Sequence, residues 1–311
     1  MDGNTRRPLP RNRPIRAADY LRLISLAAIW GASFLFVRML VPQIGTLPTA
    51  FGRVSMACLG LALIVLVLRI RWDFRGLLGR VLLLGVISAG LPFAMYAVAA
   101  QHLPAGYLAI FNATTPLMGV LIGALFFGES LTASKGAGVL LGLAGVAVLS
   151  RTGPVAFDVN LAWGAAACLV ATSCYGLSGF LTRRWVSERG GLDSRLLALA
   201  SQVGATLSLL PLMLWALPGQ SQAHWGDPLI WAALVGLGVV CTAFAFILYF
   251  RLIADIGPVK SMTVAFLVPA FGVFWGVLLL DEELSWAYLY GGVLIALALW
   301  LVLRPPRDEA K

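Results

Sequence analysis

Apolar stretches close to twenty residues long recur from one end of the chain to the other, and they limit its fold more than any other feature. A helix of about twenty residues crosses the roughly 30 Å of hydrocarbon in a bilayer. Charged residues make up only 12% of the 311 positions, which is too few to hydrate a soluble surface of this size. The sequence therefore predicts an all-α integral membrane protein with ten transmembrane helices, at 19–40, 47–70, 77–101, 104–127, 132–151, 159–184, 193–216, 228–252, 258–280 and 284–303.

The net charge of +9 is distributed unevenly over the connections between these stretches. Twenty of the 23 basic residues fall on one side of the membrane, and the exceptions are Arg38, Arg53 and Arg151. Because basic connections stay in the cytoplasm, we expect both termini of this multi-pass chain to be cytoplasmic. The basic residues then lie beside membrane lipid headgroups. The sequence has no basic stripe interleaved with aromatic residues, so nucleic acid is not predicted as a partner.

Little of the chain is left outside the bilayer. The N-terminal tail, 1–18, is rich in Arg and Pro and is predicted to be disordered, and 304–311 forms a short cytoplasmic tail. No connection is long enough for a catalytic or nucleotide-binding domain. The four cysteines lie inside apolar stretches without a CxxC motif or paired histidines, so we predict neither a metal site nor a cofactor.

An internal repeat divides the chain into two halves. Residues 116–138 and 269–291 align without gaps at a shift of 153, and 30–38 align with 175–183 at a shift of 145. The halves, 19–151 and 159–303, hold five predicted helices each. Because five is odd, the second half enters the membrane upside down relative to the first. Inverted repeats of this kind are typical of transporters, whereas a duplication with purely structural consequences is the alternative.

The residues shared by the two halves have mechanical interpretations. Pro116 and Pro269 each remove one helical hydrogen bond, so we predict a hinge or a cavity at both positions. Gly119 and Gly272 each begin a GxxxG pattern, which lets two helix backbones approach closely, and we include both in the predicted hinge. The glycines of the fifth helix admit two interpretations, packing inside the monomer or a homodimer contact.

These patterns resemble the EamA-type members of the drug/metabolite transporter (DMT) superfamily over about residues 20–303. The strongest element is P-x2-G-x3-G-x5-E-x-L, which occurs once per half, and WGASF at 30–34, Arg53 and LPAG at 103–106 support it. Within the family the chain is most similar to the YddG-type amino-acid exporters of bacteria. The resemblance implies ten helices in two inverted repeats around a central cavity, and a location in the bacterial inner (plasma) membrane.

The residues at mid-depth indicate the chemistry of such a cavity. All fourteen acidic residues lie in loops or at span ends, so the usual carboxylate relay of a proton-coupled carrier is missing and we expect uncoupled or exchange transport. Polar and aromatic residues remain, and they suit a small zwitterion with an apolar side chain. The predicted substrate-binding residues are Asn112, Trp30, Ser33, Tyr96, Thr115, Trp163, Tyr175, Ser178, Phe244 and Phe266.

Arg53 has two interpretations. Because it lies near the outer end of its helix, we expect it to snorkel outwards and anchor the protein. The alternative is capture of a substrate carboxylate near the outer gate. For the whole chain, the sequence predicts an exporter of aromatic and other neutral amino acids, with export of drugs or other small metabolites as the alternative. An enzyme is not expected because the spans hold no cluster of reactive groups, and a channel fits the matched, inverted halves less well than a carrier does.

Overall fold

The computed structural model describes residues 16–129, 131–152, 158–216, 225–256 and 264–303. Within these ranges every regular element is helical and no strand occurs. We number the helices α1 (Ala17–Ile44), α2 (Thr46–Val67), α3 (Leu78–Ala99), α4 (Ala105–Phe126), α5 (Ala133–Thr152), α6 (Val159–Trp185), α7 (Ser194–Ala216), α8 (Pro228–Val235, Gly236–Phe244 and Ala245–Ile256 in succession), α9 (Val264–Leu280) and α10 (Trp286–Leu303).

Seven helices in the described part of the chain are long and apolar enough to cross a membrane, namely α1 to α4 and α6 to α8. The other three contain shorter apolar runs, Ala133–Val148, Leu267–Leu280 and Trp286–Ala298. The chain is therefore a multi-pass membrane protein. Seven candidate spans support the all-helical prediction, and the predicted number of ten stays a prediction.

Two helices begin at aspartate caps, where the side chain replaces the missing helical acceptor. Asp158 accepts a hydrogen bond of 2.9 Å from the backbone N–H of Leu161, at the start of α6. That bond lowers the pKa of Asp158. Asp227 accepts one of 2.8 Å from the N–H of Leu229, and Pro228 begins α8, where a helix needs no N–H. Both ends fall at predicted span boundaries.

Two close contacts between helices depend on glycines, and the sequence repeat relates one contact to the other. A Cβ atom on Gly31 of α1 would lie 2.9 Å from the backbone nitrogen of Gly272 in α9. A Cβ atom on Gly176 of α6 would lie 2.8 Å from the backbone nitrogen of Gly119 in α4. Gly176 follows Gly31 by 145 positions and Gly272 follows Gly119 by 153, which are the two shifts of the sequence repeat. The two repeat motifs therefore pack on each other, each on the motif of the opposite half.

The third helix of each half contains a π-helical segment that the sequence does not predict. These segments are Val86–Gly90 in α3 and Gly236–Phe244 in α8. Beside them the backbones come close again, since a Cβ on Gly85 would clash with Ser201 of α7 and a Cβ on Gly238 with Met56 of α2. Gly85 and Gly238 differ by 153 positions, and Met56 and Ser201 by 145. The repeat thus extends over α2, α3, α7 and α8.

The glycines of α5 are used inside the chain. A Cβ on Gly145 would lie 2.9 Å from Ile295 of α10, and one on Gly142 would clash with Leu117 of α4. Of the two interpretations of this glycine pattern, the contacts of these two residues favour packing within the monomer. A homodimer stays a hypothesis.

The glutamate of the repeated motif folds back onto the second glycine of its GxxxG pattern. A Cβ on Gly123 would lie 3.3 Å from Glu129, and one on Gly276 would clash with Glu282. The Glu282 carboxylate also accepts hydrogen bonds from the first two N–H groups of α4, those of Ala105 at 2.7 Å and Gly106 at 3.3 Å. The spacing G-x5-E therefore serves to connect the end of α9 to the start of α4.

The two motif prolines differ in their local structure. Helix α4 is interrupted at Ala113 and Thr114, directly before Pro116, whereas α9 continues as a helix through Pro269. At the interruption the carbonyl of Asn112 accepts a hydrogen bond of 2.7 Å from the hydroxyl of Thr115. The backbone acceptor that a proline at position 116 leaves free is thus satisfied by the neighbouring side chain.

Candidate functional site

Two aromatic pairs lie where the halves meet. The rings of Tyr96 (α3) and Tyr175 (α6) are stacked, with centroids 6.2 Å apart. The rings of Trp30 (α1) and Tyr249 (α8) lie 5.3 Å apart. Tyr249 follows Tyr96 by 153 positions and Tyr175 follows Trp30 by 145, so these pairs are repeat equivalents. Three of their four residues were predicted site residues, and Tyr249 was missed.

The Tyr96 pair carries a hydrogen bond to the predicted amide. The hydroxyl of Tyr96 donates to Oδ1 of Asn112 at 3.0 Å, and Tyr96 is only 2% exposed. The ring of Phe34 packs edge-on against Tyr96, with centroids 5.4 Å apart. Helices α1, α3, α4 and α6 thus place one amide and three aromatic rings together. We call Phe34, Tyr96, Asn112 and Tyr175 the aromatic–amide cluster.

Arg53 adjoins this cluster, and the expectation that it snorkels to the outer face is wrong. It lies seven residues into α2, about 10 Å along the axis, and it is 7% exposed. Its Nε donates to the hydroxyl of Thr242 at 3.2 Å, and its guanidinium carbon lies 3.7 Å from the centroid of the Phe93 ring. Phe93 precedes Tyr96 by three residues in α3, which is about one helical turn, so the guanidinium lies beside the cluster. The side chain therefore turns into the protein, where a cation over an aromatic ring is stabilised.

The polar members of the site interrupt the repeat, whereas the four residues of the two aromatic pairs follow it. At the shifts of 153 and 145 the equivalents of Asn112, Arg53 and Thr242 are Ala265, Ala198 and Ala89. The two halves share the same helix packing, and the position equivalent to each of these three polar residues is an alanine. Three polar side chains appear where the other half has only alanine, and this makes them the candidates for contact with a ligand.

Three predicted hydroxyls bond to carbonyls of their own helices. Ser33 donates to the carbonyl of Trp30 at 2.7 Å, Ser178 to that of Tyr175 at 2.9 Å, and Thr115 to that of Asn112. Such bonds satisfy the hydroxyl locally. Each hydroxyl nevertheless bonds to the carbonyl of a residue that belongs to one of the aromatic pairs or to the aromatic–amide cluster.

Three further predicted residues lie apart from the cluster or outside the description. Trp163 is 65% exposed and Phe244 is 47% exposed, and among the described residues neither makes a ring contact or hydrogen bond with the cluster. Phe266 falls within α9, but its side chain lies outside the part of the structure that is described. The sequence placed these residues by depth alone, and depth does not fix the direction of a side chain around its helix.

A cavity of about 700 Å³ lies to the side of the cluster, between α4, α9 and α10. Its wall includes Pro269, Trp286, Tyr288 and Val293 and is mostly apolar. Trp286 and Val293 are exposed, so the cavity borders the outer surface of the helix bundle. Within the described residues no group of three or more His, Cys, Asp or Glu side chains is arranged to hold a metal ion.

Membrane-spanning helices with the aromatic–amide cluster between them are typical of polytopic transporters. The chain belongs to the EamA-like transporter family, which matches residues 19–151 and 162–304 and so covers both repeats. This confirms the resemblance drawn from the repeated motif. The family is described as one of transporters.

Relatives support this assignment over most of the chain, and a solved structure shares the fold. A "Probable terminal-alkyne amino-acid exporter" of Streptantibioticus cattleyicolor is 25% identical, covering 91% of this chain and 92% of its own. An "Uncharacterized transporter" of Archaeoglobus fulgidus is 21% identical, covering 92% and 98%. "Protein PecM" of Dickeya dadantii is 26% identical over 88% of each chain. A crystal structure with 21% identity matches the fold with a TM-score of 0.61, covering 96% of this chain and all of that one.

Proposed function

We propose that this protein exports amino acids, aromatic and other neutral ones above all, across the bacterial inner membrane. The observation that carries the proposal is the aromatic–amide cluster, in which Tyr96 donates to Asn112 beside the ring of Tyr175. Aromatic rings bind an apolar side chain, and an amide offers both a donor and an acceptor to a zwitterion. The relative from Streptantibioticus cattleyicolor, whose name is that of an amino-acid exporter, supports the same class of substrate.

The proposed mechanism is alternating access between two inverted halves, 19–151 and 159–303, of five transmembrane helices each. The twin glycine contacts, Gly31 with Gly272 and Gly176 with Gly119, support a pseudo-twofold relation between them. The distribution of basic residues supports cytoplasmic tails at both ends, 1–18 and 304–311. No described carboxylate belongs to the cluster, which supports uncoupled or exchange transport.

The test is flux through the purified protein in liposomes loaded with labelled Phe, Trp, Met or Thr, with and without a pH gradient. We expect saturable exchange that does not depend on the gradient. Acceleration by a proton gradient would contradict uncoupled transport, and the absence of flux for all four amino acids would contradict the substrate class.

Export of drugs or other small metabolites is the second candidate. The observation that favours it is the apolar cavity of about 700 Å³ between α4, α9 and α10, which is large enough for a drug-sized molecule and borders the outside of the bundle. A lipophilic dye that competes with amino-acid flux, or moves in its absence, would support this candidate.

A further inference from the structure

Arg53 is a buried cation that forms no ion pair with a carboxylate in the described part of the chain. It is 7% exposed, and the ion pairs among the described residues join other basic residues to their carboxylates, at Arg22, Arg75, Arg183 and Arg195. A charge removed from water is costly unless a partner compensates it. Among the described residues this compensation comes from the hydroxyl of Thr242 and the ring of Phe93.

Most of the hydrogen-bonding capacity of Arg53 remains unused. A guanidinium has five N–H donors, and the one on Nε is taken by Thr242. The described structure gives no hydrogen bond for Nη1 or Nη2. The N–H donors of these two terminal nitrogens therefore have no bond to a described residue and are available to a ligand.

The helix packing around Arg53 does not require an arginine. In the equivalent contact of the other half, α7 packs against α3 with Ala198 at the matching position, and the backbones there come at least as close, since a Cβ on Gly85 would clash with Ser201. A side chain needed only for packing would be small in both halves. Arg53 is thus an addition to the shared architecture, placed beside the aromatic–amide cluster.

We propose that Arg53 binds the carboxylate of the transported molecule, so that the protein moves carboxylate-bearing substrates and rejects analogues in which an amide replaces the carboxylate. This inference rests on the proposed function and specifies its recognition chemistry. The planar pair of Nη atoms matches the two oxygens of a carboxylate. The ring of Phe93 and the bond to Thr242 hold the guanidinium plane, and the rings of Tyr96 and Tyr175 remain for the rest of the substrate.

The experiment compares L-phenylalanine with L-phenylalaninamide, which keeps the amino group and the ring but lacks the carboxylate. Flux into liposomes is measured for the unmodified chain, Arg53→Gln, Arg53→Lys and the control Arg80→Gln, which removes an exposed charge at the start of α3. We expect the unmodified chain and the control to prefer phenylalanine. Arg53→Gln raises the half-saturation concentration roughly 10- to 150-fold, as the loss of a charge-assisted pair predicts, and abolishes the preference. Arg53→Lys keeps the preference with weaker binding.

The outcomes separate this inference from the proposed function. If phenylalanine and its amide move equally well through the unmodified chain, Arg53 does not bind the carboxylate, although amino-acid export stands. If no amino acid moves, the proposed function fails. In that case the inference about Arg53 is tested by the melting temperature of the unmodified chain with 3-phenylpropionate and with 3-phenylpropionamide. The acid must raise the melting temperature more than the amide does. Equal effects of acid and amide overturn the inference. If Arg53→Gln does not fold, the comparison of acid and amide on the unmodified chain decides alone.

Discussion

A single methyl group at Gly176 tests whether the glycine contacts hold the two halves together. An added Cβ would lie 2.8 Å from the backbone nitrogen of Gly119, against 3.4 Å for an ordinary contact, so α6 and α4 must separate by about 0.6 Å. Overpacking of this kind costs about 1–3 kcal/mol. Alanine also stabilises a helix by roughly 0.5–1 kcal/mol relative to glycine. A control must therefore remove this opposing effect.

Gly179 provides that control, because it lies in the same helix and a Cβ there meets nothing within 4 Å. Gly179→Ala carries the gain in helix propensity without the clash. The difference between the two variants thus isolates the steric cost, about 1–3 kcal/mol. At about 2 °C per kcal/mol for a chain of this size, Gly176→Ala should melt roughly 2–6 °C below Gly179→Ala.

The assay is tryptophan-monitored thermal unfolding of the purified variants in one detergent at one protein concentration. The repeat supplies an independent replicate, because a Cβ on Gly31 would lie 2.9 Å from the backbone nitrogen of Gly272. Gly31→Ala should therefore also melt below Gly179→Ala. Melting of all three variants within about 1 °C of one another would refute the close backbone contact as a source of stability.

Three further substitutions test the site, the Glu282 cap of α4 and the interruption of α4. Asn112→Ala should abolish amino-acid flux while the protein remains folded, whereas Asn160→Ala, an exposed control, should transport normally; unchanged flux removes Asn112 from the site. Glu282→Ala should destabilise the protein by about 1 kcal/mol, because the first N–H groups of α4 lose their acceptor. The control Glu283→Ala, at an exposed neighbouring position, should leave the stability unchanged. Equal melting temperatures of the two variants would contradict the capping role. Thr115→Val should cost about 1–3 kcal/mol by leaving the Asn112 carbonyl without its hydroxyl donor; a melting temperature equal to that of the unmodified chain would show that the bond is dispensable.

The fold was predictable where it depends on repeated local chemistry. Apolar length predicted the helices, and the missing N–H of proline predicted the interruption of α4 near Pro116, although Pro269 causes no interruption in α9. The π-helical segments were not predictable, because they occur where Gly85 and Gly238 let a neighbouring helix approach, and that approach is a property of tertiary packing. The two shifts of 145 and 153 were found separately in the sequence. Only the structure showed that the glycines of one motif contact those of the other.

The site was predictable in its residue types but not in their directions. Tyr96, Asn112 and Tyr175 were named from depth and polarity, and the structure brings them together. Arg53 was misjudged because position along a helix says nothing about which way its side chain turns. A better signal was available in the repeat itself, since the equivalent of Arg53 in the second half is an alanine.

The same comparison of halves indicates that the two motif prolines are not interchangeable hinges. Thr115, whose hydroxyl satisfies the carbonyl next to Pro116, has Val268 as its equivalent beside Pro269, and Val268 has no donor to offer. An interruption of α9 would therefore leave a carbonyl without that local side-chain partner, which is costly in hydrocarbon. Helix α4 alone carries the hydroxyl that stabilises its own interruption. Because Asn112 sits at that interruption and accepts a bond from Tyr96, any bending of α4 at Pro116 displaces the polar end of the aromatic–amide cluster. On the proposed mechanism, substrate contact is therefore coupled to movement of α4. The first half moves against α9, which contains Gly272 and is a continuous helix.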